Sequence, residues 1–515
     1  MVVNSGRATG RSAKRSSDSG TASVIGSGPN GLAAAVTLAR AGLRVTVHEA
    51  ADTPGGGLRS VDLFESGVRH DICAAVHPMA AASPFFRHFD LAAHGVRLLT
   101  PALSYAHPLP GGRPPGLAWR SLEVTAEGLG PDGPGWRRLM GPLRAHSEEV
   151  VRLMLSDFRT PPRDPVAPLL LALRLTAERG LRTPQAAAML AGVAAHSVGP
   201  LPSLTGAATG LLLGHLAHAG GWPLPAGGSQ SLADALIADL EAHGGRVVTG
   251  RRIDDLAELD SDRLVLADLG PREFLRISRG RLPAGYARAL GRFRHGPGAA
   301  KTDLLLDSPV PWRDPELRIA GTVHLGGTRE ELYRAESETS RGLATARPFI
   351  LVTEPANTDP GRAVGGRYPL WAYAHVPQGR PEDAQEEIIR RIEEHAPGFR
   401  DTIVAARSVP ARALEAYNPN YVGGDIGAGA VTIRQTLLRP VARWNPYATP
   451  LPGVFLCSAS TPPGPGVHGM AGYLAARAAL RACGERSPET PGRPSARQLP
   501  PLRFRRRPEA GMTGG

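Results

Sequence analysis

Thr21-Ala-Ser-Val-Ile-Gly-Ser-Gly-Pro-Asn-Gly-Leu32 and, a short way on, Arg44-Val-Thr-Val-His-Glu49 decide the fold of this chain. Ala22 to Ile25 is a short apolar run with β-branched members, which predicts a strand. Gly26, Gly28 and Gly31 follow in G-x-G-x-x-G spacing, Leu32 to Arg40 reads as helix, and Gly42 stops it. Val45 to His48 predicts a second strand, closed by the acid Glu49. In such a unit the first glycine permits the tight turn, the second lets backbone approach a pyrophosphate, and the third lets helix pack on strand. The helix N-terminus then offers free N–H groups and its positive dipole end to phosphates. Glu49, 23 positions after Gly26, stands where an acid can take a ribose hydroxyl pair. Pro29 and Asn30 sit inside the turn, in reach of the same ligand. The spacing alone is weak in a chain with 62 glycines; strand, helix, helix stop, second strand and acid together make it specific. An ADP moiety follows, and the motif does not separate FAD from NAD.

Outward from this unit, composition bounds the rest. At 515 residues the chain is too long for one simple core. The net charge of +12 points to nucleic acid until it is located. Residues 1–20 carry four basic side chains against Asp18, and residues 491–515 carry six arginines against Glu509, so the tails supply +8 of it. Both tails are rich in Ser, Gly or Pro and read as disordered and solvated, not as nucleic-acid arms. Cys73, Cys457 and Cys483 are odd in number and nowhere in C-x-x-C spacing, which disfavours a disulfide framework, a zinc site and a redox disulfide; no metal is expected. The basic N-terminus lacks an apolar h-region, and the longest apolar runs are broken by charge, as Pro168 to Leu173 is by Arg174. A soluble, cytoplasmic protein is the expectation, with peripheral contact with a membrane left open and the oligomeric state unspecified.

After Glu49 the glycine-rich loop Ala50 to Ser60 lets backbone approach a second part of the same cofactor at Gly55 and Gly56, and Arg59 offers donors to a phosphate or flavin edge. Gly67 to His77 reads as strand and loop; His77 lines a redox site or is a satisfied structural histidine. From Trp136 to about Leu216 the pattern is helical, either a cap over an apolar substrate or a buried core. A helix then runs to Glu241, Gly244-Gly245 stops it, and Arg246 to Gly250 and Arg263 to Pro271 resume αβ units. Strands are expected at Ala299 to Asp307 and near 318–324, 349–353 and 371–376, with a helix from Pro381 to His395. Lys301 is one of two lysines in the chain, the other being Lys14. It either holds a water or shares a proton, as a compact donor with a movable pKa, or is an unremarkable surface lysine. Leu451 to Leu480 is strand, Pro/Gly loop and alanine-rich helix, whose small first turn suits a polar ring edge or an anion.

These residues resemble a family: the FAD-dependent oxidoreductases related to phytoene desaturase, within the amine-oxidase-like flavoproteins. The resemblance covers about residues 21 to 483 and rests on Gly26 to Gly31 with Glu49, on Gly55-Gly56, on Asn418-Pro-Asn-Tyr-Val-Gly-Gly-Asp425, and on Pro463-Gly-Pro-Gly-Val-His-Gly-Met-Ala-Gly472. The last two look like the branch that includes a protein of animal mitochondria named for a pyridine nucleotide-disulphide oxidoreductase domain, although no C-x-x-C is present here. The fold class implied is α/β: a Rossmann-like FAD-binding domain from three chain segments, 21–105, 223–298 and 410–485, with an inserted α+β substrate domain of 106–222 and 299–409, between tails at 1–20 and 486–515. By the same resemblance Glu49 binds the adenosine ribose, Val248 contacts adenine, and His468, Gly469, Met470 and Ala471 lie by the isoalloxazine. Lys301 occupies a strand similar to one whose lysine holds a water at flavin N5. Many relatives place an acid after the final strand for the ribityl chain; this sequence has Ser458 or Ser460. FAD is therefore the cofactor expected.

The function expected is a dehydrogenase or desaturase that takes hydride from a C–H bond of an apolar or amphipathic small molecule to flavin N5, with His77, Lys301 and His468 as candidates for proton handling. Two alternatives remain: a flavin-dependent isomerase or cyclase with no net redox change, and a flavin-stabilised interaction protein.

Overall fold

The computed structural model of the chain describes residues 20–158, 161–162, 164–176 and 180–484. Apart from Gly20, the two tails lie outside the described residues. Two sheets organise the molecule. The first has five strands, all parallel, in the spatial order Val454–Leu456, Leu264–Ala267, Thr21–Ile25, Arg44–His48, Arg246–Val248. The strands thus come from three separated stretches of chain. Their side chains are short and β-branched or apolar because helices cover both faces, which is the environment of a doubly wound sheet.

Helix Pro29–Arg40 follows the first strand with proline at its first position, where a missing N–H costs nothing. It packs against helix Met470–Ala482 at a spacing only glycine permits: a β-carbon on Gly472 would lie 1.8 Å from the Asn30 carbonyl oxygen. This contact draws the last segment of the chain against the first.

The second sheet has seven strands in the order Ile403–Val409, Gly298–Leu306, Tyr368–Val376, Ile350–Thr353, Val323–Leu325, Leu103–His107, Gly116–Trp119. Pairing is antiparallel except between Val323–Leu325 and Leu103–His107. Helix Gln385–Glu393 covers one face with Ile388, Ile389 and Ile392. Two expectations change here, and one holds. The strand near 318–324 is a 3-10 turn, Pro315–Ile319, begun when the Asp314 side chain accepts from Glu316 N, and only Val323–Leu325 is extended. The strand and loop expected over 67–77 are present as strand Arg69–Asp71 and the loop that leads to His77, where Pro78 starts a helix. The boundary drawn after residue 105 falls inside strand Leu103–His107, which belongs to the second sheet.

The helical stretch includes Gly133–Ala145, Ser147–Met154, Val166–Arg174, Pro184–Ala194 and Leu204–Ala219. Trp136, Leu139, Met140, Met189 and Leu212 share one apolar core with Leu32, Val36 and Phe86 of the first sheet's layer. The same stretch presents Leu213 and His196 to a central cavity, so it is core on one side and cavity wall on the other. No helix among the described residues is long and apolar enough to cross a membrane.

Candidate active site

One cavity runs along the carboxyl ends of the first sheet's strands and on beneath the second sheet. Its first part is the glycine turn. Gly26 holds φ +95°, and its N–H donates to His48 O at 2.8 Å. A β-carbon on Gly31 would stand 2.1 Å from Gly26 O, and one on Gly56 2.9 Å from the Gly28 Cα. Side chains are excluded by geometry here, which leaves backbone N–H groups lining the space. The first turn of the helix that starts at Pro29 carries no acid of its own, and Asn30 is buried with its Oδ1 unpartnered.

Glu49 lies at the end of the second strand with both carboxylate oxygens in use. Oε2 accepts from Ser27 N (3.0 Å) and Ser27 Oγ (2.5 Å); Oε1 accepts from Ala51 N (2.9 Å) and Arg59 Nη2 (3.2 Å). Arg59 also donates to Thr53 O and lies over the Tyr417 ring, whose hydroxyl donates to Gly56 O. Two of its five donors thus hold the loop and Glu49. Beyond Glu49 the wall is Arg251, Arg252 and Ile253. Val248, expected against adenine, is not part of it; its carbonyl accepts from Glu49 N and fixes that acid's backbone.

Asp268 was not anticipated. It follows strand Leu264–Ala267, and its Oδ2 accepts from Gly31 N at 2.9 Å at the glycine turn. Burial pushes its carboxyl up to about 7, and the Glu49 carboxylate adds to the rise.

The far part of the cavity is apolar and aromatic, with Val76, Met79, Leu213, Trp222, Leu351, Trp371 and Tyr373 in its wall. His77 lines it. Ser229 Oγ donates to Ala74 O at 2.6 Å, so at the 2.8 Å contact between His77 Nε2 and Ser229 Oγ the imidazole is the donor. The ring is therefore the Nε2–H tautomer, with Nδ1 buried and unpartnered, and burial lowers its pKa to about 4.

The other expected residues divide. Ser458 lines the cavity and donates to Leu269 O. Ser460 does not, because its hydroxyl is turned to Ala428 O. His468 is buried outside the wall with both nitrogens engaged: Nε2 donates to Gly464 O, and Nδ1 accepts from Met470 N. It starts the final helix and does not face a ligand. Gly469, Met470 and Ala471 are likewise packed away, Gly469 against Phe85, and Gly466 and Val467 form the wall in their place. Lys301, 4% exposed, is no surface lysine and no part of the wall; its ammonium lies against the Asp303 carboxylate, which also faces His70 at 3.7 Å. The separation follows from the strand: residues 301 and 303 point to one face of Gly298–Leu306, and their charges pair there.

Known proteins bear on this site in three ways. Residues 24–91 match the family model of the NAD(P)-binding Rossmann-like domain. Pyridine nucleotide-disulfide oxidoreductase domain-containing protein 2 of Rattus norvegicus is 25% identical over 300 residues, 51% of this chain and 52% of that protein, so the chain spans about half the length of that curated relative. Phytoene dehydrogenase of Streptomyces griseus is 28% identical over 420 residues, 74% of this chain and 77% of that protein. Among solved structures, a putrescine oxidase aligns with a TM-score of 0.57 at 16% identity, over 91% of this chain and 99% of that one, a likeness of fold.

Proposed function

We propose that this chain, homologous to pyridine nucleotide-disulfide oxidoreductase domain-containing protein 2 and to phytoene dehydrogenase, is an FAD-dependent dehydrogenase acting on a neutral, apolar or amphipathic small molecule. The observation that carries this is the shape of one cavity. It joins the glycine turn and Glu49 to an apolar, aromatic chamber within one continuous space.

The residues present fit a dinucleotide. The N–H groups of Gly28 and Asn30 would meet the pyrophosphate, Glu49 the ribose hydroxyls, Arg251 to Ile253 the adenine, and Ser458 the ribityl chain. The chamber with Cys73, Tyr421, Gly466 and Val467 would receive the ring. A flavin bound there would supply a two-electron acceptor. The protein's own part is to exclude water, hold the substrate against the ring end, and take the proton that accompanies C–H cleavage.

The chamber also bears on the substrate. The acids in the cavity wall are Glu49, Asp268 and Glu273, all on the nucleotide side; Glu273 is already bonded by Arg252 and Arg276. A buried ammonium needs a counter-ion, and the chamber offers none. A neutral substrate is favoured over an amine such as the diamine of the aligned putrescine oxidase.

Anaerobic mixing of the flavin-loaded protein with neutral polyenes, hydroxylated lipids and putrescine tests this. Bleaching of the flavin bands by a neutral compound and not by putrescine is expected. Bleaching by putrescine alone would overturn the substrate reading.

A further inference from the structure

Three segments far apart in the chain meet on the outer surface. Helix Ile433–Leu438 has no buried residue and lies against the loop after helix Ala284–Gly291: Gln435 Nε2 donates to Arg294 O at 2.8 Å, and Gln435 Oε1 accepts from Arg294 N at 3.1 Å. The start of helix Leu204–Ala219 joins them where Thr205 Oγ1 donates to Val431 O at 3.0 Å. The Arg443 guanidinium lies over the Tyr286 ring at 5.4 Å, which ties the stretch carrying Trp444 to helix Ala284–Gly291. Leu204, Ile433, Leu437 and Leu438 are 46% to 58% exposed, and Trp444 is 86% exposed. Large apolar side chains gathered in this way mark a contact surface. Arg288, Arg292, Arg294, Arg434 and Arg443 are exposed on the same segments, and residues 196–219, 281–300 and 426–450 contain no Asp or Glu. Asp425, next in the chain, is buried with its Oδ2 accepting from Gly296 N and Gly429 N. A second exposed apolar face, Val166, Leu169 and Leu173 on helix Val166–Arg174, differs in charge: Asp164 precedes it, and Glu148 and Glu149 stand in the helix packed beside it.

We infer that the surface formed by Leu204, helix Ile433–Leu438 and Trp444 docks on an anionic lipid surface, with the apolar side chains entering the interface and the arginines meeting lipid phosphates. Each kind of side chain has its own reason to be there. Tryptophan favours the boundary between headgroups and acyl chains, where its ring is apolar and its N–H stays wet. Leucine and isoleucine gain by leaving water. Exposed arginines with no carboxylate among them are drawn to an anionic leaflet within a Debye length of it. A second copy of this chain suits the surface less well, since a two-fold contact would set the arginines against themselves. Nucleic acid suits it less well too, because four of the five apolar side chains are aliphatic and offer a base nothing to stack on. The surface is also continuous with the site: Ile426 and Ala428, in the cavity wall, belong to the stretch that carries Ile433 to Leu438. Docking holds this cavity-lining stretch at the lipid surface, where an apolar substrate concentrates, and so delivers substrate to the chamber. The delivery step rests on the dehydrogenase reading above; the docking does not.

The experiment titrates the full-length chain, with and without flavin, with vesicles of phosphatidylcholine, of phosphatidylglycerol, and of phosphatidylglycerol brominated in its acyl chains. The tails also carry arginine and are drawn to anionic surfaces, so co-sedimentation alone does not decide. Trp444 emission does, taken as the difference between the unmodified chain and Trp444→Phe, because lipid bromine quenches a ring that has entered the interface. Phosphatidylglycerol vesicles are expected to bind at least about ten times more tightly than phosphatidylcholine, and the brominated lipid to quench Trp444 emission by about half or more. Ile433→Ser with Leu437→Ser lowers the affinity at least about tenfold, and Arg434→Gln lowers it about fivefold. Leu169→Ser with Leu173→Ser, on the acid-flanked face, leaves it unchanged. All these side chains are exposed, so the variants keep the melting curve of the unmodified chain. Binding with Trp444 unquenched, or with unaltered affinity after Ile433→Ser and Leu437→Ser, overturns the docking. A Trp444 response to a single-stranded oligonucleotide or to raised protein concentration, and none to vesicles, overturns it as well. A colourless chain that docks with Trp444 quenched keeps the docking and removes the delivery step. In flavin-loaded protein, a neutral polyene presented in phosphatidylglycerol vesicles bleaches the flavin about ten times faster than in the Ile433→Ser, Leu437→Ser variant; equal rates overturn the delivery step.

Discussion

Asp268→Asn is the substitution whose consequence can be worked furthest from the structure. The carboxyl is buried at the glycine turn, accepts from Gly31 N and faces the Glu49 carboxylate, and its pKa rises from the ordinary 3.8 to about 7. At about 1.4 kcal/mol per pH unit, that rise corresponds to about 4 kcal/mol between the two protonation states. The folded chain holds this proton more tightly than the unfolded chain. The group therefore adds stability that is fully present below about pH 4 and is lost as pH rises through about 7. The amide introduced by Asp268→Asn would keep an acceptor for Gly31 N and carry no charge, so it removes the cost of the buried carboxylate at high pH and changes little at low pH. The assay is denaturant unfolding of flavin-free protein, variant against unmodified chain, at about pH 5 and pH 8; taking the difference cancels every other titrating group. The expected result is a variant more stable by about 4 kcal/mol at pH 8 and by about 1.5 kcal/mol at pH 5, the two chains converging below about pH 4. FAD affinity follows the same sign, because a pyrophosphate at this turn meets a neutral neighbour in the variant: binding tightens above pH 7. A variant equally destabilised at both pH values would refute the reasoning, since it would mean that Asp268 acts as a structural cap and not as a titrating group.

The remaining predictions are narrower. Gly31→Ala puts a β-carbon 2.1 Å from Gly26 O and should cost about 3 kcal/mol with loss of bound flavin, read by visible absorbance per protein. Lys301→Met leaves the buried Asp303 unpaired and should destabilise by about 3 kcal/mol while flavin content stays, which a melting curve of the coloured protein checks. His468→Ala removes the acceptor for Met470 N and should lower stability by about 1 kcal/mol with flavin reduction rates unchanged; a large rate loss at constant stability would return His468 to the chemistry.

Legibility in the sequence tracked how local each feature is. The nucleotide unit could be read from Thr21 to Glu49 because turn, helix start, helix stop and acid are all set within one stretch of chain. The parallel first sheet and its α/β class followed from it. The second sheet was only partly legible: Leu103–His107 and Ile403–Val409 are short segments whose extension is fixed by partners far away in the chain. Residues of the site divide in the same way. Gly26, Gly28, Glu49 and Arg59 are where a local motif sets them. The region around Gly469 failed by a few residues, because the left-handed turn at Gly469 starts the helix and leaves Gly466 and Val467 facing the cavity. Asp268 carried a usable signal, an acid immediately after a buried strand. His196, Trp222, Trp371 and Tyr373 carried none, since they meet only when the helical stretch closes over the second sheet.

The most direct test of the central claim is the visible spectrum of the purified full-length chain, followed by release and chromatographic identification of the chromophore. The account predicts two flavin absorption bands and close to one FAD per chain, lost in Gly31→Ala. A colourless chain that takes up no FAD on reconstitution, with its fold intact, would contradict it.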